Sequence, residues 1–361
     1  MSWTIAVVLL AGCRSGDEEP ADVGVPEFGD APRLEELATA DDGLDIPRDL
    51  AFHPDRPDEL WVVNRADDST ITFPGAGSGD LTGDKRIDVY AEHFMEEVSS
   101  IDFGAPDTTV EGRRISTFGT CQESRNTYND ASPPNDFMGP ALWPGDLDVY
   151  AEVNQDGRLL GSHIDMLHQS PNCMGIAHER DNAYWVVDGR NNNLVRYDFQ
   201  VPHGYGEDDH SDGIVRRHTD VVLTRVPDVP SHLVLDDAGR IFVADSGTGR
   251  VLRVDPGPAR DVGTLSQFFE PLDEYTEWNG AIVDVVATLN TPSGIALHDG
   301  RLFVSDWETG DIVAFDADTF EELDRMTTAP GVMGLTLGPA GDLWLVNGDA
   351  HTLARVVAEG T

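Results

Sequence analysis

A repeated unit of roughly 40 residues constrains the fold of this chain more than any other feature. Each copy has a short apolar strand, a turn, a second apolar strand that ends in Asp or Asn, a polar turn and a third, alternating strand. The strong copies begin near residues 46, 172, 229, 291 and 331. Self-similarity at this period, formed by strands, is typical of a β-propeller in which each repeat is one blade.

Two weaker copies, near residues 98 and 137, lie between the first two strong ones. Second-strand residues such as Val186, Phe242 and Val304 are β-branched or aromatic, and Gly, Asp and Asn separate the strands. This pattern predicts an all-β chain. Counting both weak copies predicts seven blades, and treating one of them as an insertion predicts six. Because the last copy is too short for four strands, we expect residues 33–40 to supply its outer strand and close the ring.

The first residues predict export and lipid anchoring. Residues 2–11 form an apolar run too short to span a bilayer, and Leu10–Cys13 resembles a bacterial lipobox, although no Lys or Arg precedes the run. We therefore expect a signal peptide at 1–12, a lipidated Cys13 with an acidic tether at 13–33, and the propeller at 34–361. This predicts a protein anchored by its lipid to a membrane of the bacterial cell envelope, outside the cytoplasm.

The charge of the chain excludes one class of partner. With 66 acidic and 24 basic residues the formal net charge is −42. Such a charge repels nucleic acids and anionic lipid surfaces, so we expect no nucleic-acid partner. Nothing in the composition predicts self-association, and we expect a monomer.

Three cysteines are present, and lipidation of Cys13 would leave Cys121 and Cys173 as a pair in an oxidising compartment. Both lie where loops of the repeat open onto one face of a propeller. On the seven-blade count their blades are not neighbours. A disulfide across that face and two buried thiols are both compatible with the sequence.

The clearest copy of the repeat consists of Thr291–Leu297, Arg301–Asp306 and Asp311–Asp316. These segments resemble NHL repeats, and the resemblance extends over about 46–357. It implies a propeller that serves as a binding platform or receptor and, in some relatives, as an enzyme. Peptide-amidating lyases and gluconolactonase-like hydrolases of the wider group place metal ligands near the axis. We therefore expect a protein, peptide or glycan ligand on one face. A metal-dependent lyase or hydrolase, or a structural envelope component, is the alternative.

Two positions of the innermost strand depart from the repeat. Where most copies have Gly, the chain has Asp49 and His232. First strands converge on the central channel, so these side chains are candidates for contact with a metal or a substrate. The alternative is a histidine hydrogen-bonded to a neighbouring loop.

Most of the 11 histidines fall within residues 163–232. His163 and His168 precede the copy at 172, and the insertion at 200–213 contains His203, His210 and Asp212. Imidazole with carboxylate suits Zn²⁺ or another divalent transition metal, and the acidic stretch would suit Ca²⁺, although no standard motif is present.

These residues predict one shared site. We expect His168 and His232 as ligands, Asp49 or Asp212 completing the shell, and His163 and His210 nearby beneath the 200–213 insertion. Without a metal, the same groups would bind a polar ligand.

Overall fold

The computed structural model describes residues 27–76, 81–127 and 132–358. Within these ranges the strands form a ring of six four-stranded antiparallel blades, whose first strands contact one another around the axis. The all-β propeller is confirmed with the six-blade alternative, and the seven-blade count is wrong. The weak copy near 137 is not a blade: its residues 141–144 pair with 117–120 as the third strand of the second blade.

Blades 1 to 3 occupy the first half of the chain. Blade 1 is formed by β2 (Pro47–His53), β3 (Arg56–Asn64), β4 (Ser69–Pro74) and β5 (Asp84–Arg86). Blade 2 is formed by β6 (Val98–Phe103), β9 (Thr117–Gln122), β10 (Ala141–Pro144) and β11 (Asp165–Met166), with a small hairpin of β7 (Thr108–Val110) and β8 (Arg113–Ile115) after its first strand. Blade 3 is formed by β12 (Cys173–Arg180), β13 (Ala183–Asp188), β14 (Asn193–Asp198) and β15 (Ile214–Val222).

Blades 4 to 6 complete the ring. Blade 4 is formed by β16 (Leu233–Leu235), β17 (Ile241–Asp245), β18 (Arg250–Asp255) and β21 (Ile282–Thr288). Blade 5 is formed by β22 (Pro292–His298), β23 (Arg301–Asp306), β24 (Asp311–Asp316) and β25 (Glu322–Thr327). Blade 6 is formed by β26 (Val332–Leu337), β27 (Leu343–Asn347), β28 (Thr352–Val357) and β1 (Arg33–Ala38).

The predicted closure of the ring is confirmed. β1 pairs antiparallel with β28, with Leu34 opposite Val356, so the N-terminal strand covers the outer edge of the last blade. Closure removes an exposed strand edge. Contacts with the propeller begin before the predicted boundary at 34, because Phe28 packs edge-on against Phe303 and Glu27 pairs with Arg301.

A second hairpin widens blade 3. β19 (Arg260–Thr264) and β20 (Glu274–Asn279) are inserted between the last two strands of blade 4, and β20 pairs parallel with β15. The amides of Asp273 and Glu274 both donate to the carbonyl of Gly213. The tip of this hairpin, residues 265–273, is therefore held against the loop that precedes β15.

Apolar clusters fill the spaces between neighbouring blades. Between blades 1 and 2, Trp61 packs on Phe103, Phe118 and Tyr150, with ring centroids 5.1–5.6 Å apart. Cys121 and Cys173 are joined by a disulfide between blades 2 and 3. These blades are neighbours, in contrast to the expectation from seven blades, because the weak copy near 137 belongs to blade 2.

Within the described ranges, Ala40–Asp42 and Glu92–Phe94 form 3-10 turns. No helix in this part of the chain has the length and apolarity needed to cross a bilayer. The predicted signal peptide at 1–12, the lipidation of Cys13 and most of the tether at 13–33 lie outside the described residues.

Candidate metal centre

Five buried histidines gather near the outer edges of blades 2 and 3. His93 lies in the link between blades 1 and 2, His163 and His168 flank β11, and His203 and His210 lie in the loop between β14 and β15. Each of the five is at most 9% exposed. Buried imidazoles require partners for both ring nitrogens, because a buried polar atom without one is costly.

The shortness of β11 brings these histidines together. A strand of two residues is only about 7 Å long, so loops from opposite ends of blade 2 lie within reach of one another. The loop at 199–213 is held there by backbone hydrogen bonds of 3.0 Å from Leu160 to the carbonyl of Gly206 and of 2.8 Å from Gly206 to the carbonyl of His163.

Four of the imidazoles use Nδ1 in the same way. Nδ1 of His163 and of His203 each lie 2.7 Å from a carbonyl oxygen, those of Leu160 and Gly204. Nδ1 of His168 and of His210 both lie 2.9 Å from Oε2 of Glu270. Because these oxygens only accept, each Nδ1 carries the proton, and in the neutral ring Nε2 keeps its lone pair for a metal.

The Nε2 atoms of His163, His203 and His210 are buried and have no hydrogen-bond partner within the described ranges. One ring nitrogen of each lies within 4.8 Å of one ring nitrogen of the other two. Three imidazoles at this spacing form the ligand set that binds Zn²⁺ in many enzymes, with Nδ1 held by an outer oxygen.

A second group adjoins the first. Ligand atoms of His168, His210 and Glu270 also lie within 4.8 Å of one another. Nε2 of His93 lies 3.3 Å from Nε2 of His168. The two groups share His210, so all five histidines form one continuous centre.

Phenylalanine rings fix the orientation of two of these imidazoles. Phe137 stacks on His168 with centroids 3.6 Å apart and an interplanar angle of 5°. Phe94 stacks on His163 with centroids 3.9 Å apart. Packing of this kind preorganises ligands before a metal binds.

Burial keeps His93, His163 and His203 neutral and therefore able to bind a metal. It lowers the pKa of His93 to about 3, that of His203 to about 4 and that of His163 well below its usual range. Burial alone would raise the pKa of Glu270, but its hydrogen bonds with His168 and His210 lower it to about 2. Glu270 is thus an ionised carboxylate that orients two imidazoles.

The predicted axial residues lie in the central channel, with Nε2 of His232 3.7 Å from Oδ2 of Asp49. Nε2 of His232 donates to the carbonyl of Ser99 at 3.1 Å. The carboxyl oxygens of Asp49 accept the amides of Leu50 at 2.9 Å and Ile101 at 3.1 Å. Burial raises the pKa of Asp49 to about 8 and lowers that of His232 to about 4, so the two groups do not form an ion pair at pH 7. The contacts of this pair join blades 1, 2 and 4, so they connect chain segments across the channel.

The predicted site residues therefore fall into two groups, in contrast to the single site that the sequence suggested. His163, His168 and His210 come together at the blade edges, whereas His232 and Asp49 line the channel. Asp212 accepts the amide of Val201 at 3.1 Å within its own loop. That loop joins the third strand of its blade to the fourth. It therefore lies at the end of the blade opposite to the loops that precede the first strands, where the binding face was expected.

Sequence reasoning missed two members of the centre. His93 lies in a link between copies of the repeat, and Glu270 lies in the tip of an inserted hairpin, 102 residues from His168. Neither belongs to a local motif. The density of histidines at 163–210 was the signal for the centre, and only chain folding adds the other two.

Known proteins resemble this chain in fold. It matches no protein-family model and no curated protein sequence. A luciferin-regenerating enzyme is 13% identical over 91% of this chain and 96% of its own, with a TM-score of 0.54. An auxiliary nutrient binding protein from Bacteroides ovatus is 9% identical over 90% of this chain and 76% of its own, also with a TM-score of 0.54. A catalytically inactive virginiamycin B lyase from Staphylococcus aureus is 13% identical over 90% of this chain and 85% of its own, with a TM-score of 0.50.

At these identities the likeness is one of fold, and the NHL assignment stays a prediction. By its strand topology and by these neighbours, the chain is a β-propeller.

Proposed function

We propose that this protein is a metal-binding propeller whose histidine centre holds a divalent transition metal, Zn²⁺ or Cu²⁺. The supporting observation is the set of Nε2 atoms of His163, His203 and His210, which are buried and lack hydrogen-bond partners in the described ranges, while every Nδ1 is held by an oxygen. A bound ion would satisfy all three atoms at once.

The ligand chemistry selects the class of ion. Imidazole suits Zn²⁺, Cu²⁺, Ni²⁺ and Fe²⁺, and Cu²⁺ binds such sites most tightly among the first-row divalent ions. Ca²⁺ prefers six to eight oxygen ligands, which a histidine set does not offer. Because each histidine is at most 9% exposed, we propose that the centre retains its ion and does not serve an open hydrolytic site.

Elemental analysis of the purified protein after dialysis tests this proposal. We expect the wild type to retain Zn²⁺ or Cu²⁺ and the double variant His203→Gln with His210→Gln to lose it. His298→Gln is the matched control, because the His298 side chain is 53% exposed on blade 5. A wild type that neither retains nor takes up either ion would refute the proposed function.

We further propose that the propeller is anchored by a lipid on Cys13 outside the cytoplasm. The lipobox-like Leu10–Cys13 supports this location. The bonded pair Cys121–Cys173 also supports it, since disulfides persist in oxidising compartments. Cys13→Ser should move the protein from the membrane fraction to the soluble fraction. An unchanged distribution would contradict the anchor.

A second candidate function is the binding of a glycan, in keeping with the expected protein, peptide or glycan ligand. A cleft of about 290 Å³ on blade 3 is lined by Trp185, Trp278, Arg196, Arg216 and Glu179. The guanidinium of Arg216 lies 4.9 Å from the ring centroid of Trp278, and Arg196 pairs with Glu179. Aromatic faces beside fixed polar groups are typical of small-ligand sites.

Calorimetry with a panel of neutral oligosaccharides tests the cleft. We expect binding by the wild type and at least a tenfold loss in Trp278→Ala. Trp307→Ala, on blade 5, is the control. Equal binding by Trp278→Ala and the wild type, or none by either, would remove this candidate.

A further inference from the structure

We infer that the histidine centre binds two metal ions, the second between His93 and His168. This inference rests on the proposed function, since it concerns the same centre. It assigns the first ion to His163, His203 and His210.

The spacing of His93 and His168 supports the second position. Their Nε2 atoms face each other at 3.3 Å. Two nitrogen ligands at 2.0–2.1 Å from one tetrahedral ion lie about 3.4 Å apart. The observed separation is therefore that of two ligands on one ion.

The hydrogen bonds of His168 agree with this assignment. Its Nδ1 lies 2.9 Å from the carboxylate of Glu270, so Nδ1 carries the proton and Nε2 directs a lone pair at His93. A hydrogen bond from Nε2 of His93 would also account for this contact. The two interpretations differ in the number of ions that the protein binds.

A single shared ion does not explain the whole centre. Among the described residues, ligand atoms of His168 group with His210 and Glu270 and not with His163 and His203. The ring centroids of His168 and His210 lie 5.4 Å apart, and Oε2 of Glu270 contacts Nδ1 of both. Glu270 thus orients one ligand of each ion.

A buried carboxyl group beside the centre is an independent observation. Asp165 lies on β11 between His163 and His168, is 0% exposed, and neither of its oxygens has a hydrogen-bond partner among the described residues. A carboxyl buried in this way is stabilised by a nearby cation, and two divalent ions would supply more positive charge than one.

The number of bound ions tests the inference. Metal-free protein, prepared with a chelator, is titrated with Zn²⁺ in a calorimeter and analysed for metal after desalting. We expect two ions per chain for the wild type and one for His93→Gln. The His298→Gln control should bind two, and circular dichroism shows whether each variant is folded.

Each outcome is distinct. One ion in both the wild type and His93→Gln would overturn the second position and would leave the proposed function intact, with the His93–His168 contact a hydrogen bond. No ion in the wild type would overturn both. Two ions in both proteins would place the second ion away from His93 and would also overturn the inference. A wild-type count below two overturns it whether or not His93→Gln folds.

Discussion

Glu270 holds His168 at two points. Oε1 of Glu270 accepts the backbone amide of His168 at 2.7 Å, and Oε2 lies 2.9 Å from Nδ1 of the same residue. The carboxylate thereby sets both the position of the backbone and the tautomer of the ring. The tip of the β19–β20 hairpin is thus part of the centre, although it belongs to the chain of blade 4.

Glu270→Gln should weaken metal binding about 10- to 100-fold, because outer carboxylates orient the ligands and raise their basicity. The amide removes the charge and keeps the shape. Dissociation constants from competition with a chromophoric chelator measure the effect. Glu274 lies in the same hairpin as Glu270 and pairs with Arg216 of β15. The Glu274→Gln variant should bind metal like the wild type. Equal loss in both variants would mean that Glu270 acts only by holding the hairpin.

Reduction of the Cys121–Cys173 disulfide should lower the free energy of unfolding by about 2–4 kcal/mol. The bond joins blades 2 and 3 across 52 residues of sequence, so it removes much of the freedom of the unfolded chain. Urea unfolding with and without a phosphine reductant measures the change. In the double variant Cys121→Ala and Cys173→Ala, which has no disulfide to reduce, the reductant should have no effect on stability. A wild type whose stability is unaffected by reduction would contradict the expectation.

Removal of residues 1–38 should lower the melting temperature of the soluble protein substantially, because it deletes β1 and exposes the edge of β28. Removal of residues 1–26 should have little effect, since the described contacts with the propeller begin at Glu27 and Phe28. Scanning calorimetry of the two truncations measures the difference. If both melt at the same temperature, strand β1 is not needed for closure.

Asp49→Asn should reduce the pH dependence of stability between about pH 4 and pH 8. Burial raises the pKa of Asp49 from its ordinary 3.8 to about 8, so in this window the folded protein holds a proton that the unfolded chain has lost. The contribution of Asp49 to the free energy of unfolding is fully present below about pH 4. It is lost as the pH rises toward 8, with a slope of at most about 1.4 kcal/mol per pH unit.

Urea unfolding at several pH values, in a chelator to keep metal out, measures this slope. The pKa of Asp102 is raised to about 6 by burial, with a smaller contribution from the charge of Asp49, so removal of that charge reduces the pH dependence due to Asp102 as well. Identical slopes for Asp49→Asn and the wild type would show that Asp49 is already ionised in the folded protein at neutral pH.

The number of blades shows where repeat patterns mislead. Residues 137–143 resemble the start of a repeat because they are apolar and contain Gly139, yet 141–144 pair with β9 as a third strand. A buried third strand and a first strand have similar composition, and only the pairing partner distinguishes them. The closing strand was predictable, because a final copy with three strands leaves an edge that some other segment must cover.

The sequence by itself determined the all-β propeller and the concentration of histidines around 163–210, because strand alternation and residue type are local properties. It also indicated that Asp49 and His232 face the channel, since both occupy a known slot of the innermost strand. Tertiary structure alone decided which of these residues share a site. The two-residue length of β11 and the return of the 199–213 loop bring the histidines of blades 2 and 3 together. The parallel docking of β20 on β15 adds Glu270, and the link between blades 1 and 2 adds His93. Those contacts join segments far apart in the chain, and no local pattern encodes the distance between them.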